Sequence, residues 1–134
     1  MSKILMIGDL AAATGTKVNT IRFYEETGLM RRAERTASGR RTYDVADLKR
    51  LRFIRRARKL GFETKEIRSM LALSDRPEAR CEEVTAIALG HLIDIEAKIA
   101  QLIRLRDELH RMIRLCAGGS ISQCQILEQL AENS

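Results

Sequence analysis

The chain has few aromatic residues, a single proline and no tryptophan. Phe, Trp and Tyr together make up 4% of its 134 residues. Strands are enriched in aromatic and β-branched side chains, so this scarcity argues against an all-β domain. Leu, Ile, Ala, Arg and Glu dominate instead, and these residues suit helices. The composition predicts a mainly α-helical fold.

The chain also lacks a secretory hydrophobic segment and any apolar run long enough to span a membrane. We therefore expect a cytoplasmic protein that does not bind a membrane. In a reducing compartment its three cysteines are metal ligands or spectators more often than they are disulfides.

Sequence signatures of enzymatic chemistry are missing as well. The chain shows no Ser/His/Asp set, no phosphate-binding P-loop and no dinucleotide-binding glycine motif. We therefore expect that the protein is not an enzyme.

The net charge of +6 is unevenly distributed along the chain. Residues 1–70 contain 17 Lys and Arg against 8 Asp and Glu, whereas residues 71–134 contain 7 against 10. The basic half favours a polyanionic partner such as nucleic acid. The alternative is a basic surface that only aids solubility.

The segment MIGDLAAATGTKVNTIRFYEETGL predicts a helix, a tight turn and a second helix. Ile7, Leu10 and Ala11 are spaced to lie on one face of the first helix. Gly15 is placed to end that helix, and Gly28 is placed to end the second. Two short helices joined by a glycine-containing turn form a helix-turn-helix candidate.

A short β-hairpin, or wing, is predicted next, because Gly39 favours a turn and Thr42 favours a strand. The segment DVADLKRLRFIRRARKLGF then predicts an amphipathic helix with Leu51, Phe53 and Ile54 directed inward. A further helix is predicted over ETKEIRSMLAL.

No residue between Glu82 and Leu115 decisively breaks a helix, since Gly90 costs only about 1 kcal/mol relative to Ala. Apolar residues recur there at alternating four- and three-residue intervals, as in a coiled coil. The seam consists of Ala88, Leu92, Ile95, Ile99, Leu102, Leu109, Ile113 and Cys116. Too little chain remains to cover this seam, so we predict a homodimer; the alternative is one long helix lying on its own domain.

The cysteines Cys81, Cys116 and Cys124 fit such a dimer. A helix from Glu82 to Leu115 would be about 50 Å long, so Cys81 and Cys116 of one chain would not meet. If two long helices run antiparallel, Cys81 of one subunit approaches Cys116 and Cys124 of the other. Two equivalent three-thiol sites would follow from the two-fold symmetry.

The surroundings of the thiols favour metal ligation. Cys81 and Cys124 stand at predicted helix starts, where a thiolate is stabilised. Three thiolates favour soft or borderline ions such as Hg(II), Cd(II), Pb(II) or Zn(II). Zn(II) usually takes a fourth ligand, and the loop AGGSISQ contains no His. The alternative is that the cysteines are small buried hydrophobes or adventitious thiols.

Three segments, IGDLAAATGTKVNTIRFYEETGLM, ASGRRTY and RLRFIRRARKLGFETKEIRSML, resemble the MerR family of transcription regulators, and the resemblance covers nearly the whole chain. The half that contains the cysteines is similar to the metal-responsive branch. The resemblance implies a winged helix-turn-helix domain at 1–75, an antiparallel coiled-coil dimerisation helix at 81–116, and a metal-binding loop with a terminal helix at 117–134.

The resemblance also implies a mechanism. The dimer would bind a palindromic promoter and hold it closed without effector. With effector it would bend and untwist the DNA, so that RNA polymerase engages both promoter elements.

The DNA contacts are also expected from the resemblance. Thr20, Arg22 and Tyr24 match positions of the recognition helix, and Arg22 can reach guanine bidentately. Arg41 and Tyr43 match residues of the wing that contact the DNA backbone. Further phosphate candidates are Lys17, Arg40 and Arg55. Core packing is the alternative for Tyr24.

Two features of the cysteines favour different ions. Members that sense Cu(I), Ag(I) or Au(I) have Ser at the position matching Cys81, whereas Cys is similar to sensors of divalent ions. The seven residues between Cys116 and Cys124 are instead typical of copper-type members. We give the ligand count more weight, which favours Hg(II), then Cd(II) or Pb(II), with Zn(II) left open. The alternatives are a Cu(I), Ag(I) or Au(I) sensor and a thiol-redox sensor.

Overall fold

The computed structural model describes residues 4–116 and 118–132. The elements in chain order are β1 (Leu5–Met6), α1 (Ile7–Thr14), α2 (Val18–Thr27), β2 (Glu34–Arg35), β3 (Arg41–Tyr43), α3 (Val45–Lys59), α4 (Thr64–Ser74), α5 (Cys81–Leu115), a 3₁₀ turn (Ile121–Gln123) and α6 (Gln125–Glu132). Helix is the main secondary structure, which confirms the predicted fold class.

The helix-turn-helix is formed by α1 and α2, and both helices end at the glycines that the sequence indicated. Gly15 has φ 66° and Gly28 has φ 84°, so both adopt the left-handed conformation that glycine tolerates. At the other end of α1, the backbone N–H of Met6 donates to Asp9 Oδ2 at 3.0 Å. Local backbone geometry thus defines the start of α1 and the ends of both helices.

The wing is an antiparallel hairpin of β2 and β3, as predicted, with Glu34 opposite Thr42. Strand β1 pairs with the other edge of β3, with Leu5 opposite Tyr43, so the sheet has three strands in the order β1-β3-β2. The sequence did not indicate β1, because two residues are too few to show an alternating pattern. This extra strand joins the wing to the start of α1.

Helix α3 begins with reciprocal capping by two aspartates. Asp44 Oδ1 accepts a hydrogen bond from the backbone N–H of Asp47 at 3.0 Å, and Asp47 Oδ2 accepts one from that of Asp44 at 2.9 Å. Leu51 and Ile54 are fully buried, as predicted. Phe53 is 38% exposed, so its predicted inward orientation is wrong. Residues 53 and 54 lie about 100° apart around a helix, and the core accommodates only Ile54.

One hydrophobic core joins the first four helices and the sheet. Its fully or almost fully buried members are Leu10, Ile21, Leu29, Met30, Leu51, Ile54 and Ile67. Ile87, in the second turn of α5, packs against the same core.

The chain forms two compact units that divide between Ile87 and Ala88. The division falls inside α5, because the first turns of that helix belong to the core of the first unit. The predicted domain limits at 1–75, 81–116 and 117–134 follow the proposed roles of the segments and stay a prediction.

The second unit buries little of its apolar surface. Met112 is 4% exposed, and it is the one residue of α5 that is buried within the described chain. The seam of α5 is open, since Leu92 is 49% exposed and Leu102 is 63% exposed. Such a face is stable in water only when another surface covers it.

Candidate nucleic-acid interface and thiol site

Two basic clefts flank helix α2. The first lies between the start of α1 and the wing, and it brings Arg22 together with Arg35, Arg40 and Arg41. The second lies between the helix-turn-helix and α3, and it brings Lys17, Thr20 and Tyr24 together with Arg55, Arg58 and Lys59. Seven of the eight predicted DNA-contact residues therefore line these clefts. Their role in DNA binding stays a prediction.

Helix α2 presents polar side chains between the two clefts. Arg22 is exposed, whereas Thr20 and Tyr24 are half-buried. Tyr24 packs against the hydrophobic core, and its ring centroid lies 6.2 Å from that of Phe23. Core packing, the alternative for Tyr24, thus describes part of its side chain, while the rest borders the second cleft.

Three basic residues of these clefts were not singled out from the sequence. Arg35 Nη1 donates to the carbonyl oxygen of Gly39 at 2.7 Å, which ties the hairpin turn to β2. Arg58 Nη1 donates to Thr64 Oγ1 at 3.0 Å. Lys59 ends α3. A run of basic residues is visible in the sequence, but the spacing alone does not tell which members reach the clefts.

Tyr43 is the one predicted contact that the fold buries, with 2% of its surface exposed. Its hydroxyl donates to Glu25 Oε1 at 3.2 Å, and burial, followed by the nearby Glu25 charge, raises the pKa of Tyr43 to about 12. A direct contact with phosphate would require the hydroxyl to leave Glu25. In this conformation Tyr43 instead ties the wing to α2.

Glu25 is a buried acid that sequence reasoning missed. Its Oε1 also accepts a hydrogen bond from the backbone N–H of Ala33 at 3.0 Å, and its Oε2 lies 3.4 Å from Arg41 Nε. The carboxylate therefore joins α2, the following loop and β3. It holds Arg41 and the wing beside α2.

A second ion-pair network fixes α3. Arg31 Nε and Nη2 donate to the two oxygens of Asp47 at 2.8 and 2.7 Å. Burial raises the pKa of Asp47, whereas the backbone N–H of Asp47 lowers the pKa of Asp44. Arg50 Nε donates to the carbonyl oxygen of Leu29 at 2.7 Å, and its Nη1 lies 3.2 Å from Asp75 Oδ1. These contacts hold residues 29–31, which follow α2, on α3, and they hold α3 on the end of α4.

The cysteines stand at the ends of helices. Cys81 begins α5 and is exposed, while Cys116 follows α5 and Cys124 precedes α6, and both are half-buried. All three are free thiols. The backbone N–H of Leu127 lowers the pKa of Cys124, and the N–H of Ile126 and the Cys116 thiol act in the same direction. These contacts favour the thiolate form of Cys124 relative to that of a free cysteine.

The loop between these two cysteines contains two left-handed glycines, Gly118 with φ 88° and Gly119 with φ 101°. A Cβ atom on Gly119 would lie 2.5 Å from Gln123 Oε1. The hydroxyls of Ser120 and Ser122 bond to each other at 2.8 Å. The described part of the loop, residues 118–123, is therefore held by its own local contacts.

Across residues 4–116 and 118–132, no group of three or more His, Cys, Asp or Glu side chains is arranged to hold a metal ion. The structure brings Cys116 and Cys124 together within one chain. Ligation by Cys81 requires a second subunit and stays a prediction.

In the same described part of the chain, no helix combines the length and the apolar character that crossing a membrane requires.

A helix-turn-helix, a wing and two basic clefts define a winged helix DNA-binding protein. Residues 5–74 match the family described as MerR HTH family regulatory protein, and residues 48–112 match the one described as MerR, DNA binding. The chain belongs to the MerR family of transcriptional regulators, which are DNA-binding proteins.

Several relatives are similar over most of their length. The transcriptional regulator HmrR of Sinorhizobium medicae is 41% identical over 127 residues, which cover 94% of this chain and 86% of HmrR. The regulator ZntR of Escherichia coli K12 is 39% identical over 131 residues, which cover 96% of this chain and 93% of ZntR.

Among solved structures, the transcription regulator PbrR691 of Ralstonia metallidurans CH34, in complex with lead(II), superposes with a TM-score of 0.84. It is 38% identical, and the match covers 94% of this chain and 98% of that one.

Proposed function

We propose that this chain is a metal-responsive transcriptional regulator that binds a palindromic promoter as a homodimer. A soft divalent ion, Hg(II), Cd(II) or Pb(II), with Zn(II) left open, would switch it to activation by DNA distortion. The observation that carries the proposal is the Cys116–Cys124 pair, in which the pKa of Cys124 is lowered. The pair lies in a chain that belongs to the MerR family. The lead(II) complex of the similar PbrR691 supports it.

The homodimer is supported by the open seam of α5. Leu92, Ile99, Leu102, Leu109 and Ile113 are each about half exposed or more. Pairing the helices antiparallel would cover them and bring Cys81 of the second subunit to the Cys116–Cys124 pair. The three thiols would then bind an ion that the pair alone holds less well.

The two basic clefts support DNA binding. Arg22 and Arg41 line the first cleft, and Arg55 lines the second. In this proposal Arg22 would read base edges, while Arg41 and Arg55 would contact phosphates. A dimer doubles this arrangement, as a palindrome requires. The remaining partner is RNA polymerase, which would engage the promoter once the bound dimer distorts it. The site of action would be the cytoplasm, where the promoter lies.

A thiol-redox regulator is the second candidate, since Cys116 and Cys124 are free and interact with each other. Oxidation would join them in a disulfide, with two electrons passing to an oxidant such as a peroxide.

The test is an ultraviolet titration of reduced, metal-free protein with Hg(II), Cd(II), Pb(II), Zn(II) and Cu(I). We expect thiolate-to-metal bands that saturate at one ion per subunit, and weaker divalent-ion binding by Cys81→Ser. Ser122→Ala is the matched control, because it removes a loop hydroxyl and leaves the thiols intact. If none of the five ions produced a thiolate-to-metal band, and peroxide treatment released the protein from its promoter, the redox sensor would be favoured.

A further inference from the structure

Helix α3 carries a row of basic side chains on the face away from the core. Lys49, Arg52, Arg56 and Lys59 follow one another at intervals of three and four residues, so they lie on one side of the helix. All four are exposed. Within the described residues none of them forms a salt bridge.

This row lines a cleft of its own, against the end of α1 at Ala13 and Thr14. Arg55 lines this cleft as well. Arg55 and Lys59 also belong to the cleft beside Lys17 and Tyr24. Lys49, Arg52 and Arg56 are the members that belong to neither cleft beside α2. We name these three residues the outer stripe.

Like charges spaced four residues apart on a helix repel each other, and Arg52 and Arg56 are such a pair. Acidic side chains of the same helix do not offset this repulsion. Asp47, in the first turn, is buried and paired with Arg31. A polyanion bound along the stripe would remove the repulsion.

The surface is also the right length for a nucleic-acid backbone. From residue 49 to residue 56 a helix rises about 10 Å, about three times the axial spacing of about 3.4 Å between phosphates of one DNA strand. Through Arg55 and Lys59 the stripe continues into the cleft beside the recognition helix. A duplex held by α2 would therefore meet the stripe beyond the bases that α2 reads.

We propose that the outer stripe of Lys49, Arg52 and Arg56 binds the phosphate backbone of duplex DNA that flanks each half-site. The inference rests on the proposed function, because it assumes that α2 docks on promoter DNA. It adds an electrostatic contact that is independent of sequence and extends the footprint outward. Such contacts also offset the energy of bending the flanking DNA towards the protein.

An acidic surface of RNA polymerase is the competing partner. Phe53 lies in the same cleft and is 38% exposed, and an exposed aromatic ring suits a protein contact. Phe53, however, also borders two clefts on other sides of α3, beside Asp75 and beside Cys81. The continuity of positive charge with the α2 cleft favours DNA.

The test compares two duplexes that carry a palindrome selected in vitro with this protein. One ends at the palindrome, and the other extends by about one helical turn of 10 bp on each side. Affinity is measured by fluorescence anisotropy across a salt series, in the absence of metal. The variant is Arg52→Gln/Arg56→Gln, because Gln keeps the helix propensity and removes the charge.

We expect the wild-type protein to bind the extended duplex more tightly than the short one. The variant should lose roughly tenfold in affinity for the extended duplex and little for the short one. Because a dimer of the variant lacks four of the proposed cation–phosphate pairs, its slope of log K against log salt should be smaller by about 3 to 4. The matched control Lys65→Gln/Arg68→Gln removes two exposed charges of α4 and should leave the length dependence intact.

Equal affinity of variant and wild type for both duplexes would overturn the proposal. If polymerase recruitment then fell in the variant, the stripe would be a protein contact. If Lys65→Gln/Arg68→Gln lost as much affinity for the extended duplex, the effect would come from net charge alone. That result would also overturn the proposal. If the wild type selected no palindrome, the proposed function would fail instead, and the salt slope on any duplex would still test the stripe.

Discussion

The two units of the chain reach stability in different ways. The first unit encloses a core in which Leu10, Ile21, Leu51 and Ile54 are fully buried. Hydrogen bonds and ion pairs of Glu25, Arg31 and Asp47 link its elements. The second unit leaves the apolar seam of α5 open. The first unit buries its core within a single chain, whereas the second exposes an apolar face that the proposed dimer would cover.

This difference separates two kinds of function. A unit with a closed core can hold the basic clefts in a fixed geometry, which DNA recognition requires. A unit that is completed by a second chain can place the thiols of two subunits in one site. Substitutions in the two units should therefore fail in different ways, and the following experiments test this.

The largest effect is expected from Leu102→Asp in the open seam. A charge placed in a dimer interface without a partner costs about 3 kcal/mol or more, and a homodimer carries two copies. We expect the dissociation constant of the dimer to rise at least about 10⁴-fold, measured by analytical ultracentrifugation. Gln101→Asp, on the same helix and outside the seam, should leave the dimer intact. A dimer that survives Leu102→Asp would refute the seam as its interface.

The second experiment makes the same truncation in both units. Ile54→Ala removes a fully buried side chain and should lower the free energy of unfolding by about 3 kcal/mol, whatever the protein concentration. Ile99→Ala removes a side chain that is 50% exposed in the single chain. The substitution should therefore weaken the association of the two subunits and change the stability of the single chain little. Chemical denaturation at two protein concentrations separates the outcomes. A concentration-independent loss for Ile99→Ala would contradict the division between the units.

The third experiment concerns the bond between the wing and α2. Tyr43→Phe removes the hydroxyl that donates to Glu25 and should lower the free energy of unfolding by about 1 kcal/mol at neutral pH. Because the folded protein raises the pKa of Tyr43 from 10 to about 12, this tyrosine stabilises the fold below pH 10. That stabilisation should disappear as the pH rises from 10 to 12.

The control in the pH series is the difference in free energy of unfolding between wild type and Tyr43→Phe at each pH. Wild type and Tyr43→Phe share every other titrating group, so the gap between their stabilities should narrow above pH 10. A gap that stays constant to pH 12 would show that burial and Glu25 do not raise the pKa of Tyr43 in the folded protein.

The helices of the first unit were predictable because their signals are local. Gly15 and Gly28 end α1 and α2, and the apolar spacing of α3 marks its buried face. The wing was also predictable, since Gly39 and Thr42 identify a turn and a strand within a few residues. The grouping of Cys116 with Cys124 follows from their proximity in sequence and a tight glycine loop.

The missed features depend on contacts between distant residues. Glu25 is buried because Ala33, Arg41 and Tyr43 converge on it, and no spacing rule reveals that convergence. Tyr43 was expected to face DNA, but the same convergence buries it. Whether Cys81 is a ligand depends on a second chain, which no single-chain pattern determines.

The smallest effect is expected from a substitution that stabilises the exposed part of α5. Gly90 lies within the helix, and a Cβ added there meets nothing within 4 Å in the single chain. Gly90→Ala should therefore stabilise α5 by about 0.5 to 1 kcal/mol, observed as a higher melting temperature of the dimer. The heptad pattern places residue 90 outside the seam between Ala88 and Leu92, so the dimer dissociation constant should not rise. A weaker dimer would instead mean that the helices approach closely at Gly90, and the seam would have to be rotated to include it.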